Sequence, residues 1–231
     1  MHAAVIAPGL YSLAAGPVNT FFLESSDGCV LIDAGFPSRS EKILQAIQEL
    51  GKQPEDVRHI ILTHAHPDHI GSFAALKKAT GADAYMHPLD APIAIAGTGF
   101  RRLYPTPGLF SHIAIRALAL APQSVEPASI EHEVRDGDVL PIAGGLTAIH
   151  VPGHCAGQIA LLWPQYGGVL FAADTCSNML GLGLSIGYEN LEEGERSLKK
   201  LAQLDFQIAC FGHGKAILSD ASSQFKAKWD H

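Results

Sequence analysis

The chain has 231 residues, of which 47% are hydrophobic and 17% are charged, and this balance excludes a disordered protein and indicates a globular one with a sizeable core. The formal net charge of −7 argues against nucleic acid as a partner, because binding to phosphates requires a basic surface. No basic segment precedes a long apolar run at the N-terminus, and no apolar stretch is long enough to cross a bilayer. We therefore expect a cytoplasmic protein without a membrane partner.

The cysteines give no sign of a disulfide framework or a zinc ribbon. Cys29, Cys155, Cys176 and Cys210 are spread along the chain without CxxC spacing. We therefore expect four free thiols, which suits a cytoplasmic location.

The first part of the chain predicts strands followed by a helix. Apolar runs broken by glycine predict strands at Val5–Tyr11, Thr20–Glu24 and Cys29–Ile32. The segment "SRSEKILQAIQELG" has apolar residues at helical spacing and ends in Gly51, which predicts a helix. The next strand, "VRHIILTH", is short and continuously apolar, as expected of a strand that is buried on both faces.

Beyond that strand the pattern becomes helical and then irregular. The segment "DHIGSFAALKKATG" predicts one helix that ends at Gly81, and "ADAYMHP" predicts another strand. Residues 88–130 contain several prolines and few charges, and we interpret them as an irregular, partly helical insertion with one helix near Ser111–Leu120. Such an insertion beside a site often shapes substrate access, although a surface excursion without a function explains it equally well.

From Glu131 onward the strands return. We expect them in "HEVRDGDVLPI", "LTAIHVPGH", "QIALLWP", "GGVLFAADT" and, near the end of the chain, "FQIACFGHG". The segment "NLEEGERSLKKLAQLD" is amphipathic and predicts a helix. Strands followed by a helix occur twice in this order, which predicts two packed halves within a single domain that spans 1–231.

The stretch "LTHAHPDHIG" carries four potential metal ligands within six positions, namely His64, His66, Asp68 and His69. His64 and His66 are two positions apart, so they point the same way if the chain is extended there. Pro67 favours an extended conformation at His66, and Asp68 and His69 follow where a helix begins. The spacing therefore divides the four side chains into two pairs that could serve two neighbouring metal ions.

Three further candidates lie at the ends of apolar strands: His154, Asp174 and His213. Each lies beside glycine or another small residue that allows close approach of the backbone. Nitrogen and carboxylate ligands suit zinc, iron or manganese, and an aspartate can bridge two cations. On local pattern alone, an ordinary turn residue explains each of the three equally well.

These residues fall in motifs that resemble those of the metallo-β-lactamase superfamily. "THAHPDHIG" is similar to the T-H-x-H-x-D-H signature, and "VPGHCAGQI" resembles the P-G-H-[TS]-x-G-S segment. "FAADT" is similar to the strand that ends in a bridging aspartate, and "FGHG" to the final histidine turn. "VNTFFLESSDGCVLIDAG" resembles the opening hairpin of that family. The resemblance covers nearly the whole chain except 88–130, and its five motifs follow one another in the order of the family.

The resemblance implies an α/β (α+β) fold: a four-layer αββα sandwich of two mixed β-sheets with helices on the outside and two divalent metal ions at one edge. It implies one ion bound by His64, His66 and His154, and a second bound by Asp68, His69 and His213, with Asp174 bridging the two. Asp33, in "LIDAG", is similar to a carboxylate that orients a ligand or braces the loop. We expect zinc, and the same ligands accept iron or manganese.

The same resemblance implies hydrolysis of a small-molecule substrate. Water held between two cations loses a proton near neutral pH and attacks a carbonyl or phosphoryl centre, and Asp68 could orient it or shuttle a proton. The branches that remain after comparing motifs are hydrolases of thioesters, lactones and related esters. Tyr188 is similar in position to a tyrosine that lactonases place near the bridging aspartate and is a candidate on the substrate side. Apolar residues of the insertion could line an acyl pocket: Phe100, Tyr104, Leu109 and Phe110.

Two other functions stay open. Persulfide dioxygenases keep the same histidine motif but use one iron ion, and the retained His213, which serves only the second metal, favours the dinuclear hydrolase. A non-catalytic metal-binding module is the alternative of another class, and the presence of every expected ligand argues against it. The sequence does not determine the oligomeric state, so a homodimer is also left open.

Overall fold

The structure, a computed structural model, describes residues 3–14, 16–118, 120 and 123–230. In chain order, its first elements are β1 (Ala3–Ala7), β2 (Leu10–Ala14), β3 (Asn19–Leu23), β4 (Cys29–Ile32), α1 (Ser40–Glu49), β5 (Val57–Ile61), α2 (Pro67–Ile70), α3 (Phe73–Thr80), β6 (Asp83–Met86), α4 (Ala91–Ala96), β7 (Tyr104–Pro105) and α5 (Leu109–Leu118). Then follow β8 (His132–Glu133), β9 (Val139–Leu140), β10 (Leu146–His150), β11 (Ile159–Trp163), β12 (Val169–Phe171), β13 (Gly187–Tyr188), α6 (Leu191–Ala202), β14 (Ile208–Cys210) and α7 (Ala221–Trp229).

Two mixed sheets carry most of these strands. The first has seven strands in the order β1-β2-β3-β4-β5-β6-β8, antiparallel up to β4 and parallel from β4 onward. The second has five strands in the order β14-β12-β11-β10-β9, with only β14 and β12 parallel. The short strands β7 and β13 form a separate antiparallel pair.

Alternating side chains build three apolar layers. In β4, Val30 and Ile32 lie between the two sheets, whereas Cys29 and Leu31 face the helices outside the first sheet. This alternation follows from the pleat, which points successive side chains to opposite faces. Phe21 and Phe171 meet edge to face across the two sheets, with ring centroids 5.3 Å apart. The inner layer therefore joins the two halves of the chain.

Helices cover both outer faces. Ile43 and Ile47 of α1 and Leu76 of α3 pack on the first sheet, and Leu198 of α6 and Phe225 of α7 pack on the second. The four layers are helices, sheet, sheet and helices, so the predicted αββα sandwich is confirmed. Among the described residues, no helix combines the length and apolar character needed to cross a membrane.

The predicted strand Val5–Tyr11 is wrong. The chain reverses at Pro8 and Gly9, so β1 and β2 form a hairpin. Gly9 has a φ of 75°, a left-handed conformation that glycine adopts without a steric cost. Apolar residues lie on both sides of the turn, so the sequence pattern resembles that of a single strand.

The predicted single helix from Asp68 to Gly81 is also wrong, because it is interrupted at Gly71 and Ser72. The Ser72 hydroxyl donates to the Phe36 carbonyl at 2.6 Å and accepts from the Arg39 amide at 2.8 Å. A Cβ at Gly71 would collide with Pro37. These contacts with the loop after β4 separate α2 from α3. They cannot be predicted from the residues next to Gly71 and Ser72 in the sequence, because the partners lie in that loop.

Candidate metal centre

The predicted ligands follow strands that end at the same edge of the sandwich. In the first sheet, Asp33 follows β4 and the segment His64–His69 follows β5, which is parallel to β4. In the second sheet, Asp174 follows β12 and His213 follows the parallel strand β14. His154 follows β10, which runs in the direction of β12 because each is antiparallel to β11. Ligand crevices of α/β folds form at such carboxyl ends.

Three buried histidines form one side of the cluster. Nδ1 of His66 lies 2.9 Å from Nε2 of His154, and the His64 ring lies 4.7 Å from the His66 ring and 5.0 Å from the His154 ring, centroid to centroid. His154 Nδ1 lies 2.7 Å from the carbonyl oxygen of Gly187. That carbonyl can only accept, so Nδ1 carries the proton and the lone pair of Nε2 faces Nδ1 of His66.

The other side contains Asp68, His69 and His213. Oδ2 of Asp68 lies 3.2 Å from Nε2 of His213 and 3.8 Å from Nε2 of His69. His213 Nδ1 lies 2.8 Å from the carbonyl oxygen of Pro17, which directs Nε2 toward the two carboxylates. The donors on this side are therefore one carboxylate and two imidazole nitrogens.

Asp174 lies between the two sides. Its Oδ2 is 3.1 Å from Nε2 of His213, 3.6 Å from Nε2 of His69 and 3.6 Å from Nε2 of His154. A single carboxylate thus contacts histidines of both sets. Gly212 makes this approach possible, because a Cβ there would collide with Asp174 Oδ1.

Three atoms of the cluster are buried without a hydrogen-bond partner among the described residues: His64 Nε2, His69 Nε2 and Asp174 Oδ1. Such atoms are costly unless something else binds them. Imidazole nitrogens and carboxylate oxygens are donors for zinc, iron and manganese. The residues present therefore fit divalent metal ions.

The ligand atoms also group by distance. Within each of three sets all the candidate atoms lie within 4.8 Å of one another: His64, His66 and Cys155; His64, His69 and Asp174; Asp68, His69 and His213. The third set is the predicted second site without its bridging carboxylate. The first contains Cys155 where the sequence predicts His154, since the Cys155 sulfur lies 3.2 Å from Nε2 of His66.

The electrostatics differ between the two sides. Burial, and then His154, lowers the pKa of His66 to about 3, so this imidazole is neutral, which is the form that binds metal. Burial alone would favour the neutral acid of Asp174, but His213 and His69 hold its pKa well below the usual range. Burial opposes the imidazolium of His213, but Asp174 and Asp68 raise its pKa to about 10. The carboxylates thus stabilise positive charge on the side of His213, and a divalent cation would supply such a charge.

Asp33 supports the cluster from outside. Its Oδ2 lies 2.8 Å from Nδ1 of His69, and its Oδ1 accepts the Thr63 amide at 2.8 Å. The Thr63 hydroxyl donates to the same carboxylate at 2.8 Å from Oδ2. Asp33 thus contacts His69, one of the predicted ligands, and a role of Asp33 in orienting a metal ligand stays a prediction.

Asn19 holds the loop of His213, although the sequence did not single it out beyond its motif. Its side-chain amide donates to the carbonyl oxygens of Phe211 at 2.9 Å and Gly214 at 2.8 Å. Its backbone amide donates to Gly212 at 2.8 Å. The asparagine in "VNTFF" was the available signal, but its partners lie almost two hundred positions away in the sequence, at 211–214.

Tyr188 lies fully inside this edge of the fold, with 1% of its surface exposed. Its hydroxyl donates to the Thr175 carbonyl at 2.6 Å and accepts from the Ser185 amide at 3.2 Å. Burial raises the pKa of this phenol. These bonds connect Tyr188 to the segment after Asp174. A contact between Tyr188 and substrate stays a prediction, and it would require these bonds to be exchanged.

The four apolar residues expected to line an acyl pocket differ in burial. Phe100 packs against the core layer outside the first sheet, whereas Tyr104, Leu109 and Phe110 are exposed by 55%, 79% and 60%. Exposed apolar side chains on α5 and β7 are available for contacts with a substrate or partner. Phe100 belongs instead to the core.

The chain is similar to known proteins over most of its length. A family model described as the metallo-β-lactamase superfamily matches residues 13–213. The uncharacterized protein YobT of Bacillus subtilis (strain 168) is 29% identical over 227 residues, covering 91% of this chain and 89% of that protein. The probable metallo-hydrolase YflN of the same organism is 26% identical, covering 90% of this chain and 84% of that protein.

A solved structure supports the same fold. A metallo-β-lactamase with a HARLDQ motif from Cronobacter sakazakii superposes with a TM-score of 0.74 at 24% identity, covering 92% of this chain and 78% of that one. The matched family segment includes every residue of the histidine and aspartate cluster. The family match and the relatives together indicate a metallo-hydrolase with metal ligands among these residues. The chain belongs to the metallo-β-lactamase superfamily.

Proposed function

We propose that the protein is a hydrolase that holds two divalent metal ions, zinc in the first instance, and cleaves an ester-type bond of a small molecule. The observation that carries the proposal is the position of Asp174 Oδ2, within 3.6 Å of ring nitrogens from three histidines that belong to both predicted sites. A carboxylate with donors on both sides suits a bridge between two cations.

In this proposal the residues divide into two sets. His64, His66 and His154 would hold one ion, Asp68, His69 and His213 would hold the other, and Asp174 would serve as a ligand to both. When bound, two such ions lower the pKa of a water molecule between them and polarise the oxygen of the scissile bond. Asp33 keeps Nε2 of His69 directed inward by accepting the proton of Nδ1, 2.8 Å away.

Asp68 is the carboxylate suited to proton transfer. Its side chain is 14% exposed, compared with 6% for Asp174, so it lies nearer to the solvent side of the cluster. A group at that position can accept the proton of an attacking water and return it to the leaving group. Asp68 therefore has two roles in the proposal, as a ligand and as a proton carrier.

The ester-type substrate is supported by charge and by exposed apolar surface. A net charge of −7 disfavours polyanionic phosphodiesters. Leu109, Phe110 and Ile113 of α5 are each at least 60% exposed. Ile115 of the same helix approaches Gly187, whose carbonyl holds His154. Thioesters, lactones and related esters with an apolar acyl group fit such surroundings.

Elemental analysis combined with a substrate panel tests the proposal. The purified full chain should hold two metal ions and hydrolyse at least one thioester, lactone or other ester. His213→Ala should reduce the metal content to one ion, and Asp174→Asn should reduce turnover to background while the circular dichroism spectrum is kept. Asp205→Asn is the matched control, because its side chain is 92% exposed and it should change neither quantity.

Two results would replace the proposal by its alternatives. One iron ion per chain, with oxygen uptake in the presence of glutathione persulfide, would identify a persulfide dioxygenase. Absence of turnover over the whole panel in metal-loaded protein would favour a non-catalytic metal-binding module over the hydrolase. The cytoplasmic location and a homodimer stay predictions, for fractionation and for light scattering respectively.

A further inference from the structure

Asp90, at the start of the 88–130 segment, lies fully buried between two loops of the metal centre. Its Oδ2 accepts the Ala65 amide at 2.8 Å, between His64 and His66. Its Oδ1 accepts the Gly157 amide at 2.9 Å, in the loop that begins with His154. Asp90 precedes α4 but its side chain makes no capping bond to that helix. One carboxylate therefore joins the backbones of the two loops that carry the first predicted site.

Arg101, from the same segment, holds this carboxylate in place. Its guanidinium pairs with Oδ1 of Asp90, donates to the Leu89 carbonyl at 3.1 Å, and donates from Nε to Oε1 of Glu189 at 2.8 Å. Asp90 is fully buried and the Arg101 side chain is 30% exposed. A buried carboxylate needs such a partner, because an unpaired charge in the interior is strongly unfavourable.

Glu189 extends the same network to the other side of His154. Its Oε2 accepts the Ala156 amide at 3.0 Å, and its own backbone amide donates to the His154 carbonyl at 3.2 Å. Gly187, two residues earlier, accepts the Nδ1 proton of His154. Glu189 thus binds the same loop as Asp90 and is connected to Asp90 through Arg101.

We propose that Asp90, Arg101 and Glu189 form a brace that positions His64 and His66 relative to His154, and that this is the role of the first part of the 88–130 segment. The brace acts through the backbone of the ligand loops, so its members are positioning residues. The inference rests on the proposed metal centre, because it assumes that those three histidines bind one ion.

The contacts around Asp90 explain why a glycine stands at 157 and an arginine at 101. Gly157 leaves room for Asp90, since a Cβ there would collide with the carboxylate. The guanidinium of Arg101 presents donors in a planar fork, which lets one side chain hold two carboxylates in fixed directions. A lysine at the same place keeps the charge but cannot hold both in that geometry. Without the brace, the His64–His66 loop and the His154 loop lose the carboxylate that bonds to both of their backbones.

A titration of the full chain with zinc alone, in competition with a chromophoric chelator, tests the brace. Arg101→Met should weaken one of the two zinc affinities by roughly 10–100-fold, as expected for a residue that supports ligands from outside. The affinity for the site with His69 and His213 should stay unchanged, because the brace does not touch it. Arg101→Lys should recover part of the loss. Arg102→Met is the matched control, since the neighbouring arginine lies over the Tyr104 ring instead.

Hydrogen exchange of the metal-free protein provides a second readout. The amides of Ala65, Ala156 and Gly157 should exchange faster in Arg101→Met than in the wild type, and amides of β12 should not. Asp90→Asn and Glu189→Gln, which keep the side-chain shapes, answer the question if Arg101→Met does not fold. Equal weakening of both zinc sites, unchanged affinities, or unchanged exchange of the three amides would overturn the brace. A wild-type chain that binds no zinc would instead refute the metal centre. Hydrogen exchange of the metal-free protein would still test the brace, because it does not depend on zinc binding.

Discussion

Oδ2 of Asp33 lies 2.8 Å from Nδ1 of His69, so a carboxylate at the end of β4 orients a histidine that follows β5. The two strands are parallel neighbours, and their ends meet at one edge of the sheet. Asp33 has a φ of 63°, in the left-handed region that few residues other than glycine, asparagine and aspartate adopt. The chain therefore accepts an unusual backbone conformation at the place where this carboxylate meets His69 and Thr63.

Replacing Asp33 with asparagine isolates the effect of its charge. Asparagine tolerates the same left-handed backbone, so we expect the fold to be kept. The affinity for the second zinc ion should fall by roughly 10–100-fold, because His69 loses the carboxylate that fixes its ring. A chelator competition titration measures this, with circular dichroism as the check on folding. An unchanged second affinity would show that His69 needs no such support.

Removal of metal should lower the thermal stability of the protein. Ligand at 100 times its Kd stabilises a folded state by about 2.7 kcal/mol, which corresponds to a rise in Tm of roughly 5–10 °C for a chain of this size. Calorimetry of chelator-treated protein with and without added zinc measures the difference. Magnesium is the control, because it prefers oxygen ligands in octahedral geometry and should not replace zinc here. Equal Tm values in zinc and magnesium would contradict a site built from histidines.

All four thiols should be unreactive in the folded protein. Cys29, Cys155, Cys176 and Cys210 are buried and free, and burial raises the pKa of each. A thiol reagent should therefore label almost nothing under native conditions and four groups per chain after denaturation. A count below four after denaturation without reductant would indicate a disulfide and contradict the predicted free thiols.

The C-terminal helix α7 should contribute strongly to stability. Phe225 is fully buried and packs edge to face on Phe206, with ring centroids 5.1 Å apart. Phe225→Ala should lower the free energy of unfolding by about 3–5 kcal/mol through the lost contacts and the cavity. Lys228→Ala, at an exposed position of the same helix, should change it by less than about 0.5 kcal/mol. Denaturant unfolding measures both, and similar values for the two variants would show that α7 is not part of the core.

The elements that sequence predicted well are those with a strong local pattern. Helix α6 begins at Leu191, where the Asn190 side chain accepts the Glu193 amide, and its leucines recur at helical spacing. Its prediction needed only neighbouring residues. The strands before Asp33, Asp174 and His213 were predicted for the same reason, because short buried strands are continuously apolar and end in polar or small residues. The strand before His64 was also predicted, but it is not buried throughout, since Arg58 is exposed and His59 is half-buried.

The errors occurred where a tight turn or a contact with a distant segment decides the structure. The apolar run Val5–Tyr11 is folded back at Gly9, and the helical run after Asp68 is interrupted by bonds between Ser72 and residues 36–39. Helix α7 was not predicted, because its weakly apolar sequence becomes buried only when Phe225 packs against Phe206 and Phe211, with Trp229 beside Phe225. The interrupted helix and α7 depend on partners that lie outside the local window, whereas the hairpin depends on the local turn at Gly9.

By itself, the sequence determined which side chains can bind metal, because ligand type and the alternation along strands are local properties. His64, His66, Asp68 and His69 were readable as candidate ligands from six consecutive positions. Only the tertiary structure decided which residues support them: Asp33 pairs with His69 in particular, and Asp90 with Arg101 lies between two loops. Those pairings join residues from separate strands and segments, and they exist only because parallel strand ends meet at one edge of two packed sheets.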